Sequence, residues 1–187
     1  MSNKGKLFVI SAPSGTGKST VLAELCKQVP ELAVSISCTT RPCRAGEVDG
    51  REYYFISKKE FELKRDNNDF IEWAEVHNYL YGTPKNKLMD LLNTGKSVIL
   101  DIDVQGGMQI KQSCKEAITF FLVPPNMETL KKRLQGRATD SAEQINVRLA
   151  NAVGEMVHQS EYTYCIINED LHLAVEEIKS IIAQETN

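Results

Sequence analysis

The chain carries no excess of basic residues. Its 22 Lys and Arg stand against 25 Asp and Glu, a formal net charge of -3 over 187 residues. No global field draws it to nucleic acid, so any anion it binds must be met by a local basic cluster. Cysteine is sparse and unpatterned. Cys26, Cys38, Cys43, Cys114 and Cys165 are odd in number and form no C-x-x-C pair. That argues against a zinc site and for free thiols in a reducing cytosol. Three histidines, His77, His158 and His172, form no ligand-spaced cluster and are read as surface or packing residues. No apolar run approaches the ~20 residues that span a bilayer. "MSNKGK" leads into an apolar stretch without the core of a signal peptide. The expectation is a cytoplasmic protein with neither a membrane nor a nucleic-acid partner.

What is present is a globular composition, 42% hydrophobic and 25% charged, long enough for a sizeable core. Four short apolar runs read as buried parallel strands: "KLFVIS" (6–11), "SVILDID" (97–103), "AITFFLV" (117–123) and "YCII" (164–167). Helical patterns follow the first run, with Val21, Leu22 and Leu25 on one face, and cover 126–135, 141–159 and 170–184. Strands alternating with helices predict an α/β fold with a parallel sheet. Residues 38–86 break this rhythm with "REYYFIS", "FIEWAEV" and "YLYGT", read as a small mixed β insertion. Residues 134–148 are polar and lie between helices, a candidate mobile lid.

Between the first strand and its helix lies "APSGTGKST", Ala12–Pro13–Ser14–Gly15–Thr16–Gly17–Lys18–Ser19–Thr20. It matches the phosphate-loop pattern G-x-x-x-x-G-K-[ST] except that Ala12 stands where the first glycine is usual. Such a loop turns successive backbone N–H groups inward at a helix N-terminus and so forms an anion nest. Lys18 suits the β- and γ-phosphates, and the Ser19 hydroxyl suits Mg²⁺. An alanine fits if that position has a negative φ. ATP is therefore the expected ligand.

The acceptor must come from elsewhere. In the insertion, Arg41 and Arg44 fall near Tyr53 and Tyr54, with Tyr81 and Thr83 in "YGTP". Two arginines and phenol hydroxyls suit a second phosphate through charge-assisted hydrogen bonds, although a solvated basic turn reads the same way. Asp101 and Asp103 end the second strand, where an α/β sheet carries its ligand crevice; either also suits the N-cap of a helix over 104–112. Arg133 and Arg137 are four apart, with Arg148 further on, a grouping that suits charge on a transferring phosphoryl group.

Seven motifs occur in order: "SAPSGTGKST", "SCTTRPCRAGEVDGREYYF", "FIEWAEVH", "YGTP", "DIDVQGG", "RLQGRATDS" and "YTYCIINED". In order and spacing they resemble guanylate kinases of the bacterial type, over residues 5–184. The resemblance implies a phosphate-loop nucleoside-monophosphate kinase fold. Its core would be 1–37, 87–133 and 149–187, with a GMP-binding insertion at 38–86 and a lid at 134–148. It implies ATP-dependent phosphorylation of GMP, and of dGMP, in purine metabolism, with Mg²⁺. Arg41, Arg44, Tyr53 and Tyr81 would hold the GMP phosphate. Ser37, Glu72 and Thr83 would read guanine, and Asp103 would lie near the nucleoside. A carboxylate can accept both N1–H and the 2-amino group, which adenine lacks. Lys18, Asp101, Arg133, Arg137 and Arg148 would serve transfer, and residues 12–20 with Asn168 would bind ATP.

The chain departs from the family at Val104, Ala138, Thr163 and Glu169, none of them a phosphate or guanine reader. A kinase of another small molecule and a non-catalytic protein-binding module of this fold are the alternatives. A homo-oligomer is left open.

Overall fold

The computed structural model describes residues 4–136 and 142–186. Its centre is a five-stranded parallel sheet in the order β2-β7-β1-β8-β9. The strands are β1 (Leu7–Ser11), β2 (Ala33–Val34), β7 (Val98–Asp101), β8 (Ile118–Val123) and β9 (Tyr164–Ile167). All five residues of β1 and all six of β8 are buried. Continuous apolar runs follow from a sheet covered on both faces. Side chains alternate across the sheet. Phe8 and Ile10 join Phe120, Leu122 and Ile166 in one core, while Leu7 and Val9 join Val98 and Leu100 in another.

Helices close each face. On the first lie α1 (Lys18–Gln28) and α7 (Leu171–Thr186), burying Val21, Leu22, Leu25, Val175, Ile178 and Ile182. On the second, Leu88 and Leu92 of α3 (Lys85–Asn93) pack with Ile110 of α4 (Val104–Ser113). A fully buried side chain of this size contributes about 1.5–3 kcal/mol. The helix α5 (Met127–Gln135), capped by Asn126, packs Leu130 and Leu134 against Ile145 and Ala152 of α6 (Ala142–Met156).

A separate four-stranded sheet, ordered β4-β3-β6-β5, forms within the insertion. It comprises β3 (Cys38–Thr39), β4 (Tyr54–Phe55), β5 (Phe70–Val76) and β6 (Tyr79–Pro84). His77 and Asn78 turn β5 into β6 with positive φ at both positions, 52° and 66°, the backbone of a tight hairpin. The sequence reading missed four elements. One is the helix α2 (Lys58–Asp66), whose Phe61 fills the small core with Cys38, Phe70 and Leu80. The others are the helix α3 and the two-residue strands β2 and β3. Each is short, and a segment of two to nine residues shows too little of either period to be read.

Candidate active site

Residues 12–17 leave the C-terminal end of β1 and open directly into α1. Gly15 and Gly17 have φ of 88° and 100°, a region in which a side chain would be strained. Ala12 is not among the positive-φ residues, and its side chain is 9% exposed within the first core. The missing glycine is thus accommodated: the position needs no left-handed backbone, and the methyl packs inward.

Two side chains brace the loop from behind. Asn168 donates through Nδ2 to the Thr16 carbonyl at 2.7 Å, and Arg133 donates through Nη1 to the same oxygen at 3.0 Å. Arg133 Nη2 also reaches the Asn168 carbonyl at 2.9 Å. That carbonyl is thus tied away from the anion site, while the Thr16 amide closes the turn on the Pro13 carbonyl at 3.2 Å. Lys18 reaches across to the end of β7, donating to the Ile102 carbonyl at 2.6 Å and pairing with Asp101 at 2.7 Å. β1 and β7 are neighbours in the sheet, with Ile10 opposite Asp101.

A cavity of about 950 Å³ lies over the loop, with Arg148 and Glu155 of α6 on its wall. A second, of about 230 Å³, is lined by Tyr53, Glu72 and Tyr81 from the insertion, by Ser37 just before it, and by Asp101 and Asp103 from the core. Lys18, Ser19 and Asp103 line both cavities. Asp103 has two roles: it faces both cavities, and its Oδ1 caps α4 by accepting from the Gly106 amide at 2.9 Å.

Glu72 is 3% exposed. Burial pushes its carboxyl up to about 7; the Thr83 hydrogen bond opposes this and the nearby Asp103 adds to it. Thr83 donates to Glu72 Oε1 at 2.5 Å, and the Ser37 and Thr83 hydroxyls lie 3.2 Å apart. A hydroxyl has one proton. Thr83 gives its proton to Glu72, so Ser37 is the donor to Thr83. The two hydroxyls therefore form a donor chain, Ser37 to Thr83 to the carboxylate. Glu72 also needs room beneath it. A Cβ at position 106 would lie 2.4 Å from Glu72 Oε2, so only glycine lets α4 approach. One turn further, Gln109 accepts from the Trp73 amide at 3.2 Å and donates to the Trp73 carbonyl at 2.7 Å. A side-chain amide thus pairs the outer edge of β5 and ties the insertion to the core.

Arg41 is 7% exposed and forms a two-pronged pair with Glu47, while Arg44 is exposed. Neither arginine lines the small cavity, although the Arg41 guanidinium sits 5.5 Å from the ring centre of Tyr53, which does. Burial pushes the Tyr53 hydroxyl up to about 12, so it remains a donor. Arg137 and Ala138 lie outside the described residues. Sequence reasoning missed Glu47, Gln109 and Glu155. Glu155 has one carboxylate oxygen buried without a partner among the described residues, and burial raises its pKa against the Ser14 amide. A glutamate on a polar helix face carries no local signal of this.

A phosphate loop at the carboxyl end of a parallel sheet, opening on two cavities that share a lysine, defines a phosphate-loop nucleoside-monophosphate kinase. The family model described as guanylate kinase matches residues 4–185. The guanylate kinase of Clostridium tetani is 48% identical over 182 residues, covering 97% of this chain and 87% of that one. A crystal structure of guanylate kinase from Anaplasma phagocytophilum superposes with a TM-score of 0.81 at 33% identity, covering 98% and 87% of the two chains. The SH3-kinase fragment of tight junction protein 3 shares the fold alone. Its TM-score is 0.53 at 12% identity, over 100% of this chain and 59% of that one. The chain belongs to the guanylate kinase family.

Proposed function

We propose that the chain transfers the γ-phosphoryl group of ATP to GMP, and to dGMP, in purine nucleotide metabolism. The observation that carries this reading is the junction of the two cavities at Lys18 and Ser19. ATP lies along residues 12–20, with its phosphates against backbone amides of the loop, to which Pro13 contributes none, and with Asn168 nearby. GMP lies in the small cavity. Glu72 accepts N1–H and the 2-amino group, and Ser37 turns its proton from Thr83 to O6. Tyr53, Tyr81, Arg41 and Arg44 hold the GMP phosphate, and Asp103 meets the nucleoside. Adenine offers no such donor edge and would leave Glu72 buried and unpaired, a discrimination of ~10⁴-fold or more.

Transfer is in line and needs positioning and charge more than proton chemistry. Lys18, now parked on Asp101, moves onto the phosphates. Arg148, Arg137 and Arg133 add positive charge from α5, α6 and the segment between them. Residues 38–86 act as the acceptor domain and 134–148 as the lid, on a core of 1–37, 87–133 and 149–187.

Among the described residues no group of three or more His, Cys, Asp or Glu is gathered to cage a metal. The donors that are there suit Mg²⁺ held largely by phosphates and water, with Ser19 as ligand and Asp101 beside it. When bound, the ion neutralises charge on the phosphates. Five free thiols support a reducing compartment, the cytoplasm. No described helix is long and apolar enough to cross a membrane.

The test is ADP formation from Mg-ATP with GMP, dGMP, AMP, CMP, UMP or no acceptor. Turnover confined to GMP and dGMP is expected. Turnover without acceptor would mean an ATPase. GMP binding without turnover would favour a protein-binding module.

A further inference from the structure

The loop of residues 41–47 is organised around one carboxylate. Glu47 Oε2 accepts from Arg41 Nη1 at 3.0 Å, and Oε1 accepts from Nη2 at 2.8 Å. Oε2 also takes the Arg44 backbone amide at 2.8 Å. The second Nη1 proton goes to the Pro42 carbonyl at 2.8 Å. A guanidinium has five N–H groups in a planar fork. Glu47 and Pro42 use three of them, all at the far end. Nε–H and the second Nη2–H, adjacent along the side edge, stay outside the ion pair. Two parallel N–H groups along one edge form the array that grips a phosphate or carboxylate in two-pronged fashion. The guanidinium lies over the rings of Tyr53 and Phe55, 5.5 and 5.7 Å from their centres, and it also meets the Tyr81 hydroxyl. Tyr53 and Tyr81 both line the small cavity.

We propose that Glu47 is a positioning residue. It holds Arg41 by the far edge and fixes the backbone of Arg44, so that the side edge of Arg41 meets the acceptor phosphate in a fixed orientation. The proposal rests on the reading of Arg41 as a GMP-phosphate ligand. It opposes a simpler idea, that Glu47 merely occupies an anion site which GMP must clear. The two differ in sign. A competitor's removal tightens GMP; a positioner's removal loosens it.

Burying Arg41 with a single counter-charge also explains why the pair is bidentate, since an unpaired cation here would be costly. The partners reinforce one another: the Glu47 hydrogen bond raises the Arg41 pKa, and the Arg41 hydrogen bond lowers that of Glu47. The geometry therefore holds across the neutral range.

The experiment measures Kd for GMP and for guanosine, and KM for ATP, in Glu47→Gln, Glu47→Asp and Arg41→Ala. Glutamine keeps one acceptor and turns an amide N–H₂ toward donors. The expected result for Glu47→Gln is GMP binding weakened at least tenfold, guanosine binding within twofold of the parent and ATP KM unchanged. Guanosine has no phosphate, so general damage to the insertion would move both ligands together. Glu47→Asp keeps the charge on a shorter stem and is expected to lose GMP affinity to a smaller degree; it also carries the test if the glutamine variant does not fold. Tighter GMP in Glu47→Gln, or equal loss of GMP and guanosine, would overturn the proposal. Arg41→Ala separates the two levels: unchanged GMP binding there would overturn the phosphate-site reading itself. Loss in Arg41→Ala with none in Glu47→Gln or Glu47→Asp would sink only the role of Glu47.

Discussion

Glu72 is the residue on which selectivity turns. It must be ionised to accept two hydrogen bonds from guanine, yet burial lifts its carboxyl to about 7. The expected consequence is a GMP kcat/KM that rises with pH through about 7, while the ATP KM stays flat. A profile level between pH 6 and 8 would mean that Glu72 is not the reader. Glu72→Gln removes the dependence and lowers GMP kcat/KM by ~10² or more, because the new amide opposes guanine donors with a donor of its own. Lys18→Ala is expected to abolish turnover with the far-UV circular dichroism spectrum retained, since Lys18 is partly exposed and bonds only at the crevice. A near-normal rate would break the phosphate-loop argument.

Elements carry these residues into place, and two of them are tuned for contact. On α4, Gly106 lets Glu72 lie against the helix, and Gln109 pairs the edge of β5. Gly106→Ala improves intrinsic helix propensity by about 1 kcal/mol, yet its methyl would press into Glu72 Oε2. The expected outcome is a stable protein with GMP affinity down tenfold or more and ATP affinity unchanged, read by titrating each nucleotide. Unchanged GMP binding would show that Glu72 has slack. The loop into α1 depends on Asn168 in a similar way. Asn168→Ala removes one of two hydrogen bonds on the Thr16 carbonyl, worth about 1 kcal/mol. The ATP KM is expected to rise about fivefold with the GMP KM unaltered; a shift in both would place the effect in the whole fold.

Across the whole molecule, Glu72 also links pH to stability. Its folded pKa is raised from 4.5 to about 7, so the folded state binds the proton more tightly than the unfolded chain. The stabilising contribution is complete below about 4.5 and is lost as pH climbs through about 7, a change of about 3 kcal/mol. Glu72→Gln should therefore gain relative to the parent in denaturant midpoint at pH 8 and lose that advantage at pH 5. A difference constant with pH would contradict the burial argument. GMP saturation is expected to raise the parent's midpoint at pH 8 by mass action.

Much of this is legible in the amino-acid sequence, for local reasons. "KLFVIS" and "AITFFLV" are uninterrupted apolar runs, and such runs stay buried whatever surrounds them. The phosphate loop is a contiguous string whose glycines, lysine and serine are set by backbone geometry within a few residues. The resemblance to a family rested on seven such strings. Tertiary structure decided the rest, because the deciding partners are far apart in the chain. Glu72 became a buried carboxylate with a raised pKa only when α4 brought Gly106 beneath it. Thr16 found its brace in Asn168, 152 residues away. Glu155 met the loop only once α6 had packed, and even Arg41 and Glu47, six apart, needed a fold of the loop that no period announces. Hydrophobic pattern and loop chemistry act over a few residues and can be read from order alone. Burial, the orientation of an arginine and the meeting of two cavities depend on how the chain closes on itself.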